Sequence, residues 1–133
     1  MRIICDTHAL LFWADQRERL SKPALLALEA GRQAGALACS DMSFCEMAML
    51  FRKERLRVPP PHSPASYMEN IVAALQLTIL PVSPIIAALA ESGIVPHGDP
   101  GDRVIAATAL HYGAPLITAD GKLHALPQLR CIW

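Results

Sequence analysis

The sequence predicts an α/β domain on a central, mostly parallel sheet of about five strands, flanked by helices. Three observations predict it. Short apolar runs alternate with longer Ala- and Leu-rich segments along all 133 residues. Strands alternating with helices imply a parallel sheet covered on both faces. The composition, 53% apolar and 18% charged, is too apolar for a disordered chain and suits one domain with a sizeable core. Acidic residues also recur just after the strand-like runs, where open parallel sheets bind their ligands.

Residues 2–6, Arg-Ile-Ile-Cys-Asp, open the chain as a buried-strand run. Residues 7–14 read as a first helix. Ser21, Lys22 and Pro23, ahead of an Ala/Leu run to Ala30, read as a capped second helix stopped by Gly31 or Gly35. Leu37–Cys39 is a second strand, and Ser43 opens a helix to about Lys53. Pro59, Pro60, Pro61 and Pro64 exclude a helix interior and mark a surface connection, too short to join two domains. Residues 65–75 read as a helix and 78–82 as a strand with Pro81 near its end. Pro84 starts a helix to about Ser92, and Gly98–Gly101 is a loop. Asp102–Tyr112 is an Ala-rich helix stopped at Gly113. Segments 116–118 and 130–132 complete the strands. No internal repeat or low-complexity tract divides the chain, so 1–133 reads as a single domain.

The charges balance, 12 Lys and Arg against 12 Asp and Glu. That excludes holding nucleic acid by bulk charge alone, but not a local basic groove. No apolar run reaches the roughly 18 residues of a membrane helix. Asp6 interrupts the first apolar run too early for a secretory signal. A cytoplasmic protein without membrane contact is therefore expected. The four cysteines form no C-x-x-C pair, and Cys5, Cys39 and Cys131 lie in apolar runs that suit buried reduced thiols. Neither a glycine-rich phosphate loop nor G-x-S-x-G is present.

The chemistry is therefore sought among the acids. Asp6 ends the first strand, and Asp120 follows the 116–118 strand by two residues. Glu46 lies in the first turn of the helix after the second strand. Asp102 begins the Ala-rich helix, with Asp99 three residues before it. Carboxylates gathered at one edge repel, and some must protonate unless a cation offsets them. Oxygen donors without His or Cys favour Mg²⁺ or Mn²⁺ over zinc, and such ions can activate water against a phosphodiester. Each acid also has a structural reading. Asp6 can cap the helix at Thr7, and Ser43-x-x-Glu46 fits a capping box. Asp102 suits a helix N-terminus, and Asp99-Pro100 and Asp120-Gly121 suit turns. The recurrence at successive strand ends is what points to a shared site.

Four segments resemble the PIN-domain ribonucleases, specifically the VapC-like toxins of type II toxin–antitoxin pairs. Ile3-Ile4-Cys5-Asp6-Thr7 resembles the family's first strand with its Asp-Thr/Ser. Ser43-Phe44-Cys45-Glu46 resembles its Glu-bearing helix. His97-Gly98-Asp99-Pro100-Gly101-Asp102-Arg103 and the following Ala-rich stretch resemble the subgroup motif His-x-Asp-Pro-Phe-Asp-Arg, with Gly101 in place of Phe. Leu116-Ile117-Thr118-Ala119-Asp120 resembles its Thr-x-Asp strand end. The resemblance spans almost the whole chain. It implies a three-layer PIN-like fold with sheet order 3-2-1-4-5 and a Mg²⁺ or Mn²⁺ site at Asp6, Glu46, Asp102 and Asp120. Thr7, His97, Asp99 and Thr118 are implied as supports of that site. An RNA substrate, a cognate antitoxin partner and a homodimer are implied as well.

Arg52-Lys53-Glu54-Arg55-Leu56-Arg57 is the one dense basic segment. Arg52, Lys53 and Arg55 read either as a solvated helix end or as contacts to an RNA backbone, and Arg103 as a phosphate contact or an acid's partner. Met42, Phe44, Met47, Met49 and Phe51 read mostly as core, with any excess serving a partner groove. The function expected is a metal-dependent endoribonuclease of the toxin type. The competing readings are a non-catalytic PIN-like interaction module, whose acids only cap helices, and a metal-dependent phosphatase. An Asp-x-Asp phosphatase motif is broken by His8.

Overall fold

The computed structural model describes all of residues 1–133. Its strands are Ile3–Cys5 (β1), Leu37–Ser40 (β2), Thr78–Leu80 (β3), Leu116–Ile117 (β4) and Cys131–Ile132 (β5). The helices are Thr7–Asp15 (α1), Lys22–Ala34 (α2), Met42–Arg52 (α3), Pro64–Leu75 (α4), Pro84–Ala90 (α5), Pro100–Tyr112 (α6) and Gly121–His124 (α7). The sheet order is β3-β2-β1-β4-β5, and every pairing is parallel. Parallel neighbours need crossover connections, which the intervening helices supply.

Alternation along the strands sorts the core into layers. Ile4, Ala38 and Leu116 face one side, against Ile105, Ala106 and Ala109 of α6. Cys5, Leu37, Cys39 and Ile117 face the other, against Leu10 of α1, Leu28 of α2, Met47 of α3 and Leu75 of α4. α5 packs outside α6 through Ile86, Ala90 and Ala107. The result is helix, sheet, helix. No helix is long and apolar enough to cross a membrane.

Several boundaries differ from those read in the sequence. α2 passes through Gly31 and ends at Gly35, which takes the left-handed conformation at φ 65°. Gly31 is needed for close packing instead, since a Cβ there would lie 2.5 Å from Leu37 Cδ2. α3 begins at Met42, after Asp41, so Ser43 is not its cap. α6 begins at Pro100, and Asp99 rather than Asp102 caps it: the Asp102 N–H donates to Asp99 Oδ1 at 3.1 Å. β3 stops at Leu80, before Pro81, which has no N–H to give a ladder. Cys5 and Cys39 are fully buried, but Cys131 is only half-buried, at the sheet edge, and Cys45 is exposed. α7 and a 3-10 turn at Arg17–Arg19 have no counterpart in the sequence reading.

The strand order fixes where a ligand can sit. From β1 the chain winds to β2 and β3 on one side, and from β4 to β5 on the other. The carboxyl ends of β1 and β4 therefore diverge into a crevice, the usual binding position of an open parallel sheet.

Candidate active site

That crevice is acidic. A cleft of about 320 Å³ is lined by Asp6, His8, Phe12, Glu46, Asp99, Asp102, Ala119 and Asp120. All four sequence-predicted carboxylates reach it, each from a different element. Asp6 follows β1, Glu46 sits on α3, Asp102 is in the first turn of α6, and Asp120 caps α7 after β4.

Asp6 is buried, and both its oxygens are held. Oδ1 accepts the Thr7 N–H at 2.8 Å, which caps α1, and Oδ2 accepts the Thr118 hydroxyl at 2.6 Å. Capping and site membership thus coexist in one side chain. Burial still raises its pKa, against the pull of those hydrogen bonds. Glu46 makes no capping box. Its Oε1 accepts the Thr7 hydroxyl at 2.7 Å, and Ser43 Oγ lies 2.9 Å from the same hydroxyl. With one hydroxyl proton, Thr7 donates to the carboxylate and accepts from Ser43. Burial raises the Glu46 pKa, and the charges of Asp6 and Asp99 add to it. Asp102 is pushed up to about 7, first by burial and then by Asp6, Asp99 and Glu46.

Asp120 behaves in the opposite way. Burial pushes it up, but the His97 hydrogen bond and the Leu123 and Lys122 N–H groups outweigh that and lower its pKa. His97 Nε2 lies 2.8 Å from Asp120 Oδ2 and 3.3 Å from Asp102 Oδ2. Its other nitrogen, Nδ1, accepts the Asp99 N–H at 3.0 Å. A ring nitrogen that accepts carries no proton, so His97 is the neutral Nε2–H tautomer and donates to Asp120. Arg103 is occupied elsewhere, donating to the His97 carbonyl at 2.7 Å and to Glu91 at 3.0 Å. It braces the loop that presents His97.

The donor set can hold a divalent cation. One oxygen each of Asp6, Glu46 and Asp102 lie within 4.8 Å of one another, and one ligand atom each of His97, Asp102 and Asp120 do likewise. Three carboxylates with raised pKa values have no Lys or Arg partner, and oxygen donors select a hard ion. Gly101 makes room for this grouping. A Cβ there would lie 2.6 Å from Glu46 Oε2 and 3.2 Å from Asp99 Oδ1. The position that departs from the resembled motif is therefore where Glu46 reaches in.

Sequence reasoning missed three contributors. Gly101 was placed in a loop, and only the close approach of Glu46 reveals its part. Ser43 was read as a cap instead of a support for Thr7. His124, given no role, places Nε2 2.6 Å from the Thr118 carbonyl, beside the hydroxyl that holds Asp6. No local pattern marks such cross-element bonds. Of the basic segment, Arg55 and Arg57 line a recess next to the cleft, whereas Arg52 and Lys53 do not.

Known proteins are similar to this chain in sequence and in backbone. The chain is 31% identical to Ribonuclease VapC22 of Mycobacterium tuberculosis over 133 residues, covering 98% of each chain. Its backbone is similar to a chain in VapBC2 from Rickettsia felis bound to a DNA fragment from their promoter. That match has a TM-score of 0.74 at 16% identity, over 98% of this chain and 97% of that one. A chain of a toxin–antitoxin complex from Klebsiella pneumoniae matches at TM-score 0.63 and 20% identity, over 96% and 94% of the two chains. A chain of DNA-bound VapBC from Salmonella typhimurium matches at 0.68 and 14%, over 98% and 96%. The PIN domain family model matches residues 3–129, and this chain belongs to the PIN domain family.

Proposed function

We propose that this protein is a metal-dependent endoribonuclease of the VapC toxin type, acting in the cytoplasm and restrained by a cognate antitoxin protein. The observation that carries the reading is the meeting of Asp6, Glu46 and Asp102 from three elements, with oxygens within 4.8 Å and no Lys or Arg paired with them. Helix capping accounts for Asp6 and Asp120 but not for Glu46, which caps nothing.

In this reading Asp6, Glu46 and Asp102 hold Mg²⁺ or Mn²⁺, and Asp120 adds a fourth carboxylate to the same cleft. The bound ion supplies a Lewis acid that lowers the pKa of water and offsets charge on the phosphodiester. The chain's own part is to hold the ligands. Thr118 and Thr7 fix Asp6 and Glu46 by donating to them, and His97 fixes Asp120. Asp99 caps α6, so it supports Asp102 from the backbone. Arg55, exposed after α3, receives the RNA backbone. An apolar groove of about 390 Å³, lined by Phe44, Met68, Val72 and Ile79 among others, is a surface that an antitoxin or a second copy in a homodimer would cover.

The test is cleavage of single-stranded RNA by nuclease-free protein with Mn²⁺. D6N is expected to abolish cleavage while leaving the circular dichroism spectrum unchanged. Cleavage retained in D6N overturns the assignment. Addition of the co-purifying antitoxin is expected to suppress the wild-type activity.

A further inference from the structure

We propose that the recess beside the acidic cleft is a phosphate-binding subsite for single-stranded RNA, built by Arg19, Arg55 and Arg57. The proposal rests on the nuclease reading and names where its substrate is gripped.

The recess, about 360 Å³, lies between α1 and the segment that follows α3. His8 and Phe12 line both it and the acidic cleft, so the two lie side by side. Their charges are opposite. Arg19, Arg55 and Arg57 are exposed in the recess, and none forms a salt bridge. The recess has one acid, Asp15, whose carboxylate accepts the Tyr67 hydroxyl. Arg19 is held in place, its guanidinium 4.2 Å from the Phe12 ring centroid and 3.1 Å from Gln16 Oε1.

The local fold aims the other two arginines there. Glu54 takes the left-handed conformation at φ 57°. The Glu54 N–H donates to the Phe51 carbonyl at 3.0 Å and the Arg55 N–H to the Leu50 carbonyl at 2.9 Å. Those two bonds are a Schellman closure, here built without glycine. The chain reverses, Leu56 packs against the core, and Arg55 and Arg57 on either side of it face the recess.

A phosphodiester in the cleft meets four carboxylates, so the strand needs cations elsewhere to bind. Phosphate is the ligand that unpaired guanidinium groups fit best. His8 and Phe12, common to both linings, set these arginines beside the cleft. That adjacency favours a polymer spanning both sites over an acidic peptide seated in the recess alone.

The test uses the full chain in chelator, with an end-labelled oligouridylate followed by fluorescence anisotropy at several salt concentrations. The R55A/R57A double variant is expected to bind roughly tenfold more weakly. Its plot of log affinity against log salt is expected to be shallower by about 1.4, or 0.7 per lost phosphate contact. R55K/R57K keeps most of the slope. R52A/K53A removes the same charge outside the recess and is expected to leave affinity nearly unchanged. Equal loss in R52A/K53A, an unchanged slope in R55A/R57A, or no binding by the wild type overturns the proposal. Displacement of the RNA by an oligoglutamate peptide at equal concentration assigns the recess to an acidic protein segment and also overturns it. The nuclease reading is scored separately, by wild-type cleavage of the same oligonucleotide with Mn²⁺. Absence of cleavage removes that reading even where the binding slope behaves as expected.

Discussion

The two jaws of the acidic cleft differ in how their charges are compensated. On one, Asp6, Glu46 and Asp102 are all pushed toward protonation, first by burial and then by neighbouring carboxylates. On the other, Asp120 is lowered, because His97 and two backbone N–H groups donate to it. The same residue type, a few ångströms apart, is destabilised as an anion on one side and stabilised on the other. The lesson concerns division of labour. The first jaw is left short of positive charge, as a cation site requires, while the second is completed by the protein itself.

Substitutions can break that contrast, and the largest effect is expected at its centre. E46Q should remove Mn²⁺ binding, measured by isothermal titration calorimetry, as well as RNA cleavage. Tight Mn²⁺ binding by E46Q would show that the first jaw is not the cation site.

G101A comes next and separates fold from site. Its Cβ meets the flexible end of Glu46, at 2.6 Å from Oε2. Alanine also gains about 0.8–1 kcal/mol of helix propensity over glycine. The melting temperature should therefore hold or rise, while Mn²⁺ affinity falls by roughly 10–100-fold, as for displaced supporting groups at metal sites. A fall in both would mean that Gly101 serves packing alone.

D102N should raise the melting temperature in chelator by roughly 4–8 °C, by relieving a repulsion of about one to two kcal/mol at about 4 °C each. It should also lose the stabilisation that added Mn²⁺ gives the wild type. The sign with pH follows from the raised pKa. Asp102 titrates near 7 when folded and near about 3.9 when unfolded. Between those values the folded state binds the extra proton, so stability falls as pH rises through the window. Metal-free protein should therefore melt at a higher temperature at pH 5 than at pH 8. D102N should flatten that slope, and saturating Mn²⁺ should reverse it.

The smallest effect is expected at the compensated jaw. H97F removes the hydrogen bond to the partly exposed Asp120 carboxylate and the acceptor of the Asp99 N–H, at about 1 kcal/mol each. It should raise the Asp120 pKa, readable by carboxyl-carbon NMR, and weaken Mn²⁺ binding less than G101A does. A larger loss than in E46Q would invert the assignment of the two jaws.

Asp6, Glu46 and Asp120 were legible in the sequence because each comes soon after a strand, and parallel strands bring their carboxyl ends to one edge; Asp102 was legible from its place at the start of the Ala-rich helix. What the residues did there was less legible. Ser43-x-x-Glu46 matches a capping box in spacing, yet α3 starts one residue early and Glu46 turns to Thr7, 39 positions away in sequence. Such a bond depends on the crossing of α1 and α3, which local pattern does not encode. Asp99 and Asp102 exchanged roles for a similar reason. Proline at the first helical position starts α6 two residues before the Ala-rich run suggests. The basic segment was visible as composition. Its division into Arg55 and Arg57 facing the recess, and Arg52 and Lys53 not, depends on a left-handed Glu54 that residue type disfavours.

The unequal lengths of the strands have a dynamic consequence. β4 and β5 pair over only two residues each, extended by the Leu116 N–H to Arg130 and Thr118 N–H to Ile132 bonds. β5 has no outer neighbour, so this ladder ends at an open edge. Local opening there needs little surface exposure. The amides of Leu116 and Thr118 should exchange with deuterated solvent sooner than the Ile4 and Asp6 amides in the middle of the sheet. Faster exchange there would mean that the jaw carrying Asp120 opens more readily than the one carrying Asp6; equal exchange would mean that both open together.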